Sequence, residues 1–213
     1  MGMWEDHLLP RSLNVILGAK GVRGHREDAV AGLQGSVVEI GFGSGLNVPL
    51  YPAKITTVYA VEPSSVGRKL GAGRIRASSI PVEYVGLDGQ ELQMADESVD
   101  AALSTFTLCT IPDVARALGE LFRVLRPGGQ VHFLEHGLAA DPDTANRQHR
   151  FNRLQQRVAG GCNLDRPIDR LVGEAGFEIS VLKNDWLKGP KVLKPWNYLY
   201  KGVGTKPMRA GRQ

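Results

Sequence analysis

The sequence predicts an α/β fold with a Rossmann-like, doubly wound sheet of seven mostly parallel strands, and three observations support this. Short apolar segments alternate with amphipathic helical segments from residue 36 onward. A glycine-rich loop follows the first apolar segment, and several later ones end in an acidic residue. In open parallel sheets, ligands bind beyond the carboxyl ends of the strands. The glycines and acids therefore predict a binding site along that edge of the sheet.

The first strand and its loop lie in VVEIGFGSGLNVPLY, residues 37–51. Gly41, Gly43 and Gly45 let main-chain N–H groups approach a bound molecule closely. Their GxGxG spacing lacks the later glycine of the dinucleotide motif GxGxxG, so NAD is a poorer fit. Glu39 would repel a pyrophosphate but suits the cationic amino-acid end of S-adenosylmethionine. A tight turn without a ligand is the alternative.

Composition limits the class of protein. The chain has 213 residues, 42% of them hydrophobic, which is enough for one domain with a sizeable core. Its net charge of +4 is scattered, so we expect no nucleic-acid partner. Cys109 and Cys162 form no CxxC motif, so neither a disulfide framework nor a metal site is predicted. With no long apolar span and no signal peptide, we expect a cytoplasmic protein without a transmembrane segment, and peripheral membrane contact stays open.

Residues 1–35 are predicted to form an N-terminal helical lid segment. Apolar residues recur there at helical spacing, from Trp4 to Leu17, and a second helical piece runs from about residue 26 to 33. If this segment covers the glycine loop, Trp4, His7 and Leu8 contribute to the lid. Ordinary core packing is the alternative for this apolar stripe.

Two acids mark the ends of the next strands. Glu62 ends the strand predicted over residues 56–64, about 20 residues beyond the glycines, where a carboxylate can accept hydrogen bonds from ribose hydroxyls. After a helix that runs to about residue 79, the next predicted strand is VEYVG, and Asp88 follows at its end. A solvated turn residue is the alternative for each acid, but their recurrence at successive strand ends favours one shared site.

The remaining elements complete the predicted main domain, residues 36–204. VDAALS at 99–104 is a strand followed by the loop 105–110, and QVHFLEHG is a strand that ends at His136. Further elements are an amphipathic helix inserted at 141–165, a helix at about 165–175, strands at about 176–186 and 197–204, and a flexible tail at 205–213.

Several motifs carry a family resemblance. VVEIGFGSG, VEPS, VGLDGQELQMADESVD, STFTLC and LFRVLRPGGQVHFLEHG resemble, in this order and spacing, the motifs of class I S-adenosylmethionine-dependent methyltransferases. LCTIPD, EHG, GGCNLDR and WNYLYKG resemble a narrower methyltransferase-like group that includes mammalian thiol S-methyltransferases. Residues 1–35 do not resemble the hydrophobic membrane-anchoring N-terminus of those mammalian proteins, so no such anchor is expected in them, and Phe42 stands where many of those proteins have Cys.

The resemblance implies that the cofactor is S-adenosylmethionine and assigns roles to individual residues. The glycines approach its methionine part, Glu39 its amino group, Glu62 the ribose and Asp88 the adenine. The full set of implied cofactor residues is Glu39, Gly41, Gly43, Gly45, Asn47, Glu62, Pro63, Asp88, Gly89, Gln90, Thr105 and Leu108.

Methyl transfer is an in-line displacement that depends mainly on alignment, so a strong general base is not obligatory. If a base acts, His136 is the first choice, since an imidazole can take a proton near neutral pH. A hydrogen bond to nearby backbone is the alternative for this residue. His132 is expected to be structural and His149 to face solvent, while Cys109 is expected to be a packed thiol.

We therefore predict a methyltransferase acting on a small, apolar acceptor. A thiol acceptor follows from the resemblance alone; a lipid amine, a quinone ring and a non-catalytic cofactor-binding protein are the alternatives. Trp4, Phe151 and Leu154 are the predicted substrate lid, with simple packing of the helix as the alternative for the last two. The sequence leaves the oligomeric state open.

Overall fold

The computed structural model describes residues 4–209 and contains the predicted sheet of seven strands. The strands are β1 (Gly35–Ile40), β2 (Ile55–Val61), β3 (Val82–Gly86), β4 (Val99–Thr105), β5 (Leu125–His136), β6 (Glu178–Trp186) and β7 (Tyr198–Thr205). Their order is β3-β2-β1-β4-β5-β7-β6, and only β7 runs antiparallel to its neighbours. The predicted fold class is confirmed.

The two central strands are buried on both faces, which explains their apolar sequences. Their register pairs Val38 with Ala102 and Ile40 with Ser104. The loops that follow β1 and β4 therefore begin next to each other at the carboxyl edge of the sheet. This register brings the glycine loop and residues 105–110 to one edge.

Six α-helices accompany the sheet in the described part of the chain. They are α1 (Leu9–Ile16), α2 (Lys20–Val30), α3 (Ser65–Arg76), α4 (Val114–Val124), α5 (Pro142–Val158) and α6 (Ile168–Glu174). Side chains cap three of them: Ser64 accepts a hydrogen bond from the Gly67 N–H at 3.0 Å, Asp113 accepts one from the Arg116 N–H at 2.9 Å, and Asp141 accepts one from the Thr144 N–H at 3.2 Å. These caps fix where each helix leaves the binding edge.

The N-terminal segment and α5 meet at one end of the sheet. The Trp4 indole N–H donates to the carbonyl of Val158 at 3.1 Å. Leu9 approaches Gly160 so closely that a Cβ there would lie 2.8 Å from the leucine side chain. The two segments predicted to cover the site are therefore in contact with each other.

The predicted tail starts later than the sequence suggested. Thr205 belongs to β7, and Lys206 is buried, with its Nζ donating to the carbonyls of Phe122 and Leu125 at 2.7 Å. Because its ammonium group is hydrogen-bonded to these carbonyls, Lys206 is fixed to the main domain and is not part of a flexible tail. The composition of the segment does not reveal these contacts. Residues 210–213 lie outside the described part, as do residues 1–3.

None of the described helices is both long and apolar enough to cross a bilayer.

Candidate active site

A cavity of about 930 Å³ opens at the carboxyl ends of β1, β2, β4 and β5. The glycine loop, Glu62 and residues 88–90 form one side of its wall, which we call the cofactor side. Residues 109–112, His136 and residues 159–162 form the other, which we call the acceptor side. Apolar side chains of the N-terminal segment also line it: Leu9, Pro10, Leu13 and Leu17. The cavity lies where parallel sheets of this class bind ligands.

The glycine loop is shaped by steric limits and by Glu62. Gly41 has φ +66°, and a Cβ there would lie 1.9 Å from the Thr107 hydroxyl, so no other residue fits. The two Glu62 carboxylate oxygens accept from the N–H groups of Gly43 at 2.6 Å and Ser64 at 2.7 Å. Burial raises the pKa of Glu62, although these two hydrogen bonds oppose the shift. The acid holds the loop and still presents lone pairs to the cavity.

Asp88 and Gln90 form a compact polar turn beside the cavity. Asp88 Oδ1 accepts from the Gln90 side-chain amide at 2.9 Å and from its backbone N–H at 2.8 Å. These hydrogen bonds lower the pKa of Asp88 below its usual value. Gly89 lies between Ile40 and Ile111, where a Cβ would be 3.3 Å and 3.2 Å from their side chains. The three residues border the cavity, and the tight packing around Gly89 leaves a slot there that holds no side chain.

Eight of the twelve predicted cofactor residues line the cavity: Gly41, Gly43, Glu62, Pro63, Asp88, Gly89, Gln90 and Thr105. The other four, Glu39, Gly45, Asn47 and Leu108, lie behind the wall. Glu39 is 1% exposed and Leu108 is fully buried. In a strand, alternate side chains point to opposite faces, so a residue near a binding loop in sequence can point under it.

Glu39 belongs instead to a buried polar network around Arg26. Arg26 Nη1 donates to Asn47 Oδ1 and to the Thr105 hydroxyl, both at 2.9 Å. Asn47 Nδ2 donates to Glu39 Oε1 at 2.8 Å, and the Tyr51 hydroxyl donates to Glu39 Oε2. This network links α2, the glycine loop and the end of β4.

Burial affects both charged members of this network. It raises the pKa of Glu39 to about 7, against the hydrogen bonds from Tyr51 and Asn47 and the charge of Arg26. Burial lowers the pKa of Arg26 to about 10, while nearby Glu39 and Glu135 act against that change. Arg26 also lines the cavity, a position that was not predicted from the sequence. A signal existed: Val22, Arg26, Ala29 and Val30 occupy the buried face of α2 at helical spacing.

On the acceptor side, two thiols and an imidazole come together. Cys162 Sγ lies 3.7 Å from Cys109 Sγ and 3.9 Å from His136 Nδ1. The His136 ring packs against Phe106, with ring centroids 5.0 Å apart. The interaction between the thiols raises the pKa of Cys109 and lowers that of Cys162. Three reactive groups thus share one wall of the cavity.

The backbone that carries these cysteines is held by buried hydrogen bonds. Glu135 is fully buried and accepts from the Cys109 N–H at 3.1 Å and from the Ser104 hydroxyl at 2.7 Å. Asn163 donates to the Cys109 carbonyl through its backbone N–H at 2.7 Å and through its side chain at 3.1 Å. Arg166 donates to the Ile111 carbonyl at 2.7 Å. Both cysteine segments are therefore fixed to each other.

Comparison with known proteins agrees with this geometry. A family model described as a methyltransferase domain matches residues 38–133. A human thiol S-methyltransferase is 32% identical over 173 residues, which cover 78% of this chain and 69% of the human protein. The chain belongs to the class I S-adenosylmethionine-dependent methyltransferases. Its cofactor is S-adenosylmethionine, and the predicted enzyme class is confirmed.

Two further matches show how widely this methyltransferase resembles others. A phosphatidylethanolamine N-methyltransferase from Cereibacter sphaeroides is 27% identical over 149 residues, covering 68% of this chain and 71% of that protein. A chain in the structure of a complex between the Haloferax volcanii Trm112 methyltransferase activator and a methyltransferase superimposes with a TM-score of 0.72. That likeness covers 96% of both chains at 15% identity, so it shows the fold alone.

The methyltransferase's predicted substrate lid needs correction at the level of residues. Phe151 packs on Trp196, with ring centroids 5.3 Å apart, and the Leu154 side chain is exposed. Trp4 joins the two lid segments through its bond to Val158 and does not line the cavity. The end of α5 and the following turn line it instead, from Gln155 to Cys162. The helix passes the cavity at its C-terminal end, not at its middle.

The three histidines discussed from the sequence occupy different environments. His136 lines the cavity, and its described contacts are Cys162 and Phe106. His132 is buried, with Nδ1 2.8 Å from the Ala29 carbonyl oxygen, and burial lowers its pKa. His149 is exposed and pairs with Asp165 at 2.9 Å. Only His136 is positioned for chemistry in the cavity.

Proposed function

We propose that this methyltransferase transfers the methyl group of S-adenosylmethionine to the sulfur of a small, apolar thiol. The observation that carries this proposal is the distribution of charge around the cavity. Among the described residues that line it, the charged ones are Arg26, Glu62 and Asp88, and both acids lie on the cofactor side. The acceptor side offers thiols, an imidazole and apolar side chains, so it suits an uncharged or thiolate acceptor. Similarity to the human thiol S-methyltransferase supports the same choice.

We assign the cofactor's parts to the wall as follows. Gly41 and Gly43 take the methionine part, Glu62 accepts from the ribose hydroxyls, and the slot at residues 88–90 takes the adenine. Glu39 and Asn47 act from behind the wall by holding Arg26 and Thr105 in place. Bound S-adenosylmethionine supplies an electrophilic methyl group on a sulfonium. The chain's task is then to align the acceptor and exclude water.

On the acceptor side, His136 is the group able to take the proton of the thiol. A sulfur–carbon bond forms at the acceptor while the carbon–sulfonium bond breaks, and the thiol proton moves to the imidazole. Leu9, Leu13 and Leu17 cover the cavity and keep water from the reacting sulfur.

We expect Glu62→Ala to weaken binding of S-adenosylmethionine about 5- to 150-fold, or roughly 1–3 kcal/mol, because charge-assisted hydrogen bonds to the ribose are lost. Calorimetric titration measures the affinity. Glu174→Ala removes an exposed acid on α6 and should leave the affinity unchanged. Heat on adding NAD but none on adding S-adenosylmethionine would overturn the cofactor assignment.

We expect Leu13→Asn to raise the acceptor KM about tenfold, since a polar side chain replaces an apolar one on the cavity wall. The matched control is Val15→Asn, because Val15 lies on the same helix but is 71% exposed. Turnover is read as S-adenosylhomocysteine formed across a panel of thiols, phenols, quinols and lipid amines. Equal KM changes in both variants would show that Leu13 does not touch the acceptor.

The second candidate is N-methylation of a lipid amine, which the Cereibacter sphaeroides relative favours. The acceptor side of the wall has no described carboxylate to bind an ammonium group, which makes this candidate weaker. Turnover with phosphatidylethanolamine vesicles but with no thiol in the panel would select it.

A further inference from the structure

Cys109, His136 and Cys162 form a cluster that the proposed reaction uses only in part. Both cysteines are free thiols, and their 3.7 Å separation far exceeds a disulfide bond of about 2.05 Å. Their sulfur atoms and a ring nitrogen of His136 all lie within 4.8 Å of one another. All three residues line the cavity.

The spacing of these atoms matches a tetrahedral zinc site. With Zn–S near 2.3 Å and Zn–N near 2.05 Å, two sulfur ligands stand about 3.8 Å apart and a sulfur and a nitrogen about 3.6 Å apart. The observed values are 3.7 Å between the sulfurs and 3.9 Å between Cys162 Sγ and His136 Nδ1. The distance from Cys162 to His136 has to shorten by about 0.3 Å, and the distance from Cys109 to His136 by at most about 1.2 Å.

We propose that Cys109, Cys162 and His136 bind a zinc ion whose fourth coordination position faces the cavity and takes the sulfur of the acceptor. This inference rests on the proposed thiol methylation and names the group that activates the thiol. Three protein ligands with one open position are the pattern of catalytic zinc sites. The sequence predicted no metal because the two cysteines are 53 residues apart.

Charge around the cluster also favours a divalent cation. Zinc binds cysteines as thiolates, so Cys109 and Cys162 would carry two negative charges, and Arg166 supplies one positive charge nearby, where its guanidinium donates to the Ile111 carbonyl. Arg26, the next cation, is linked to Glu39 through Asn47. A dication offsets the charge of the two thiolates, which would otherwise be costly to bury.

The site is held in advance by the surrounding hydrogen bonds. Asn163, next to Cys162 in the chain, donates twice to the Cys109 carbonyl, and Glu135, next to His136, accepts from the Cys109 N–H. The three ligands therefore come from segments that are bonded to one another. Such supporting bonds keep ligands oriented and are typical of metal sites.

In this arrangement the roles on the acceptor side change. Zinc deprotonates a coordinated thiol at neutral pH, and the proton leaves to water, so His136 serves as a ligand and not as the base. The zinc-bound sulfur forms a bond to the methyl carbon as the carbon–sulfonium bond breaks. The thioether product is a weak ligand without charge and leaves the metal.

Cobalt(II) is the probe for the site because it absorbs when bound to thiolates in a tetrahedral field. Titration of the reduced, metal-stripped protein should give a sulfur-to-cobalt charge-transfer band that saturates at one equivalent and is displaced by zinc. Adding a thiol acceptor should shift the visible bands. Cys109→Ser, Cys162→Ser and His136→Asn should each weaken cobalt binding by more than about 100-fold, since loss of a ligand exceeds the effect of its supporting bonds.

His149→Asn is the matched control, because this exposed histidine pairs with Asp165 outside the cluster, and its cobalt spectrum should equal that of the parent. Calorimetric S-adenosylmethionine binding by every variant confirms that each is folded. Absence of the charge-transfer band in a reduced protein that binds the cofactor overturns the zinc site. Loss of both titratable thiols in air without cobalt binding assigns the pair to a disulfide instead. Thiol turnover that survives metal stripping refutes the zinc role and leaves the proposed function standing.

Discussion

Replacing Arg26 by methionine is expected to lower the free energy of unfolding by about 1–3 kcal/mol at pH 7, because a buried acid loses its cation and the buried network around it loses a hydrogen-bond donor. Arg26 is 5% exposed and donates to Asn47 and Thr105, and Asn47 in turn donates to Glu39. Methionine fills much of the space but leaves Asn47 Oδ1 without this donor, whereas the Thr105 hydroxyl keeps its bond from Asn47 Nδ2 at 3.0 Å. Urea denaturation of the purified protein measures the change.

The matched control lies one turn earlier on the same helix. Arg23 is exposed and its one ion pair with another described residue is with Glu27, so Arg23→Met should change stability by less than about 0.5 kcal/mol. The double variant Arg26→Met/Glu39→Gln should recover part of the loss, since it removes both buried charges. A small effect of Arg26→Met, or no recovery in the double variant, would show that the two charges are not coupled.

Much of the fold and of the cofactor side could be predicted because the signals are local. Glu62 and Asp88 follow their strands directly, so the parallel sheet carries both to one edge whatever the rest of the chain does. Glu39 was predicted incorrectly because side chains alternate along a strand. It lies between Val38 and Ile40, so its side chain points to the opposite face of β1 from theirs. Its proximity to the glycines in sequence suggested the wrong surface.

The acceptor side was predicted less well because it depends on how distant segments dock. Arg26 meets Thr105 across 79 residues, and Cys109 meets Cys162 across 53. The stripe of Phe151 and Leu154 correctly indicated an amphipathic helix, but it could not tell which end of α5 reaches the cavity. Contacts of this kind are set by tertiary packing, which the hydrophobic periodicity of a sequence does not reveal.

Glu39→Gln is expected to remove a pH dependence of stability amounting to about 3 kcal/mol. Burial raises the pKa of this carboxyl from 4.5 to about 7. Between these values the folded chain holds a proton that the unfolded chain has released. The contribution of Glu39 to the free energy of unfolding is therefore fully present below pH 4.5 and is lost as the pH rises through 7. The groups that act on it are Tyr51, Asn47, Arg26 and Glu62.

The measurement is urea denaturation of the parent and Glu39→Gln proteins from pH 4.5 to 8, because other titrating groups largely cancel in the difference. The parent should lose about 3 kcal/mol relative to the variant over this range. Glu174→Gln, at an exposed acid paired with Arg170, should follow the parent at every pH. A constant difference between parent and Glu39→Gln would mean that Glu39 stays ionised throughout. Arg26 would then stabilise the carboxylate enough to cancel the cost of its burial, and Glu39 would act as a permanent anion in the network that holds the glycine loop.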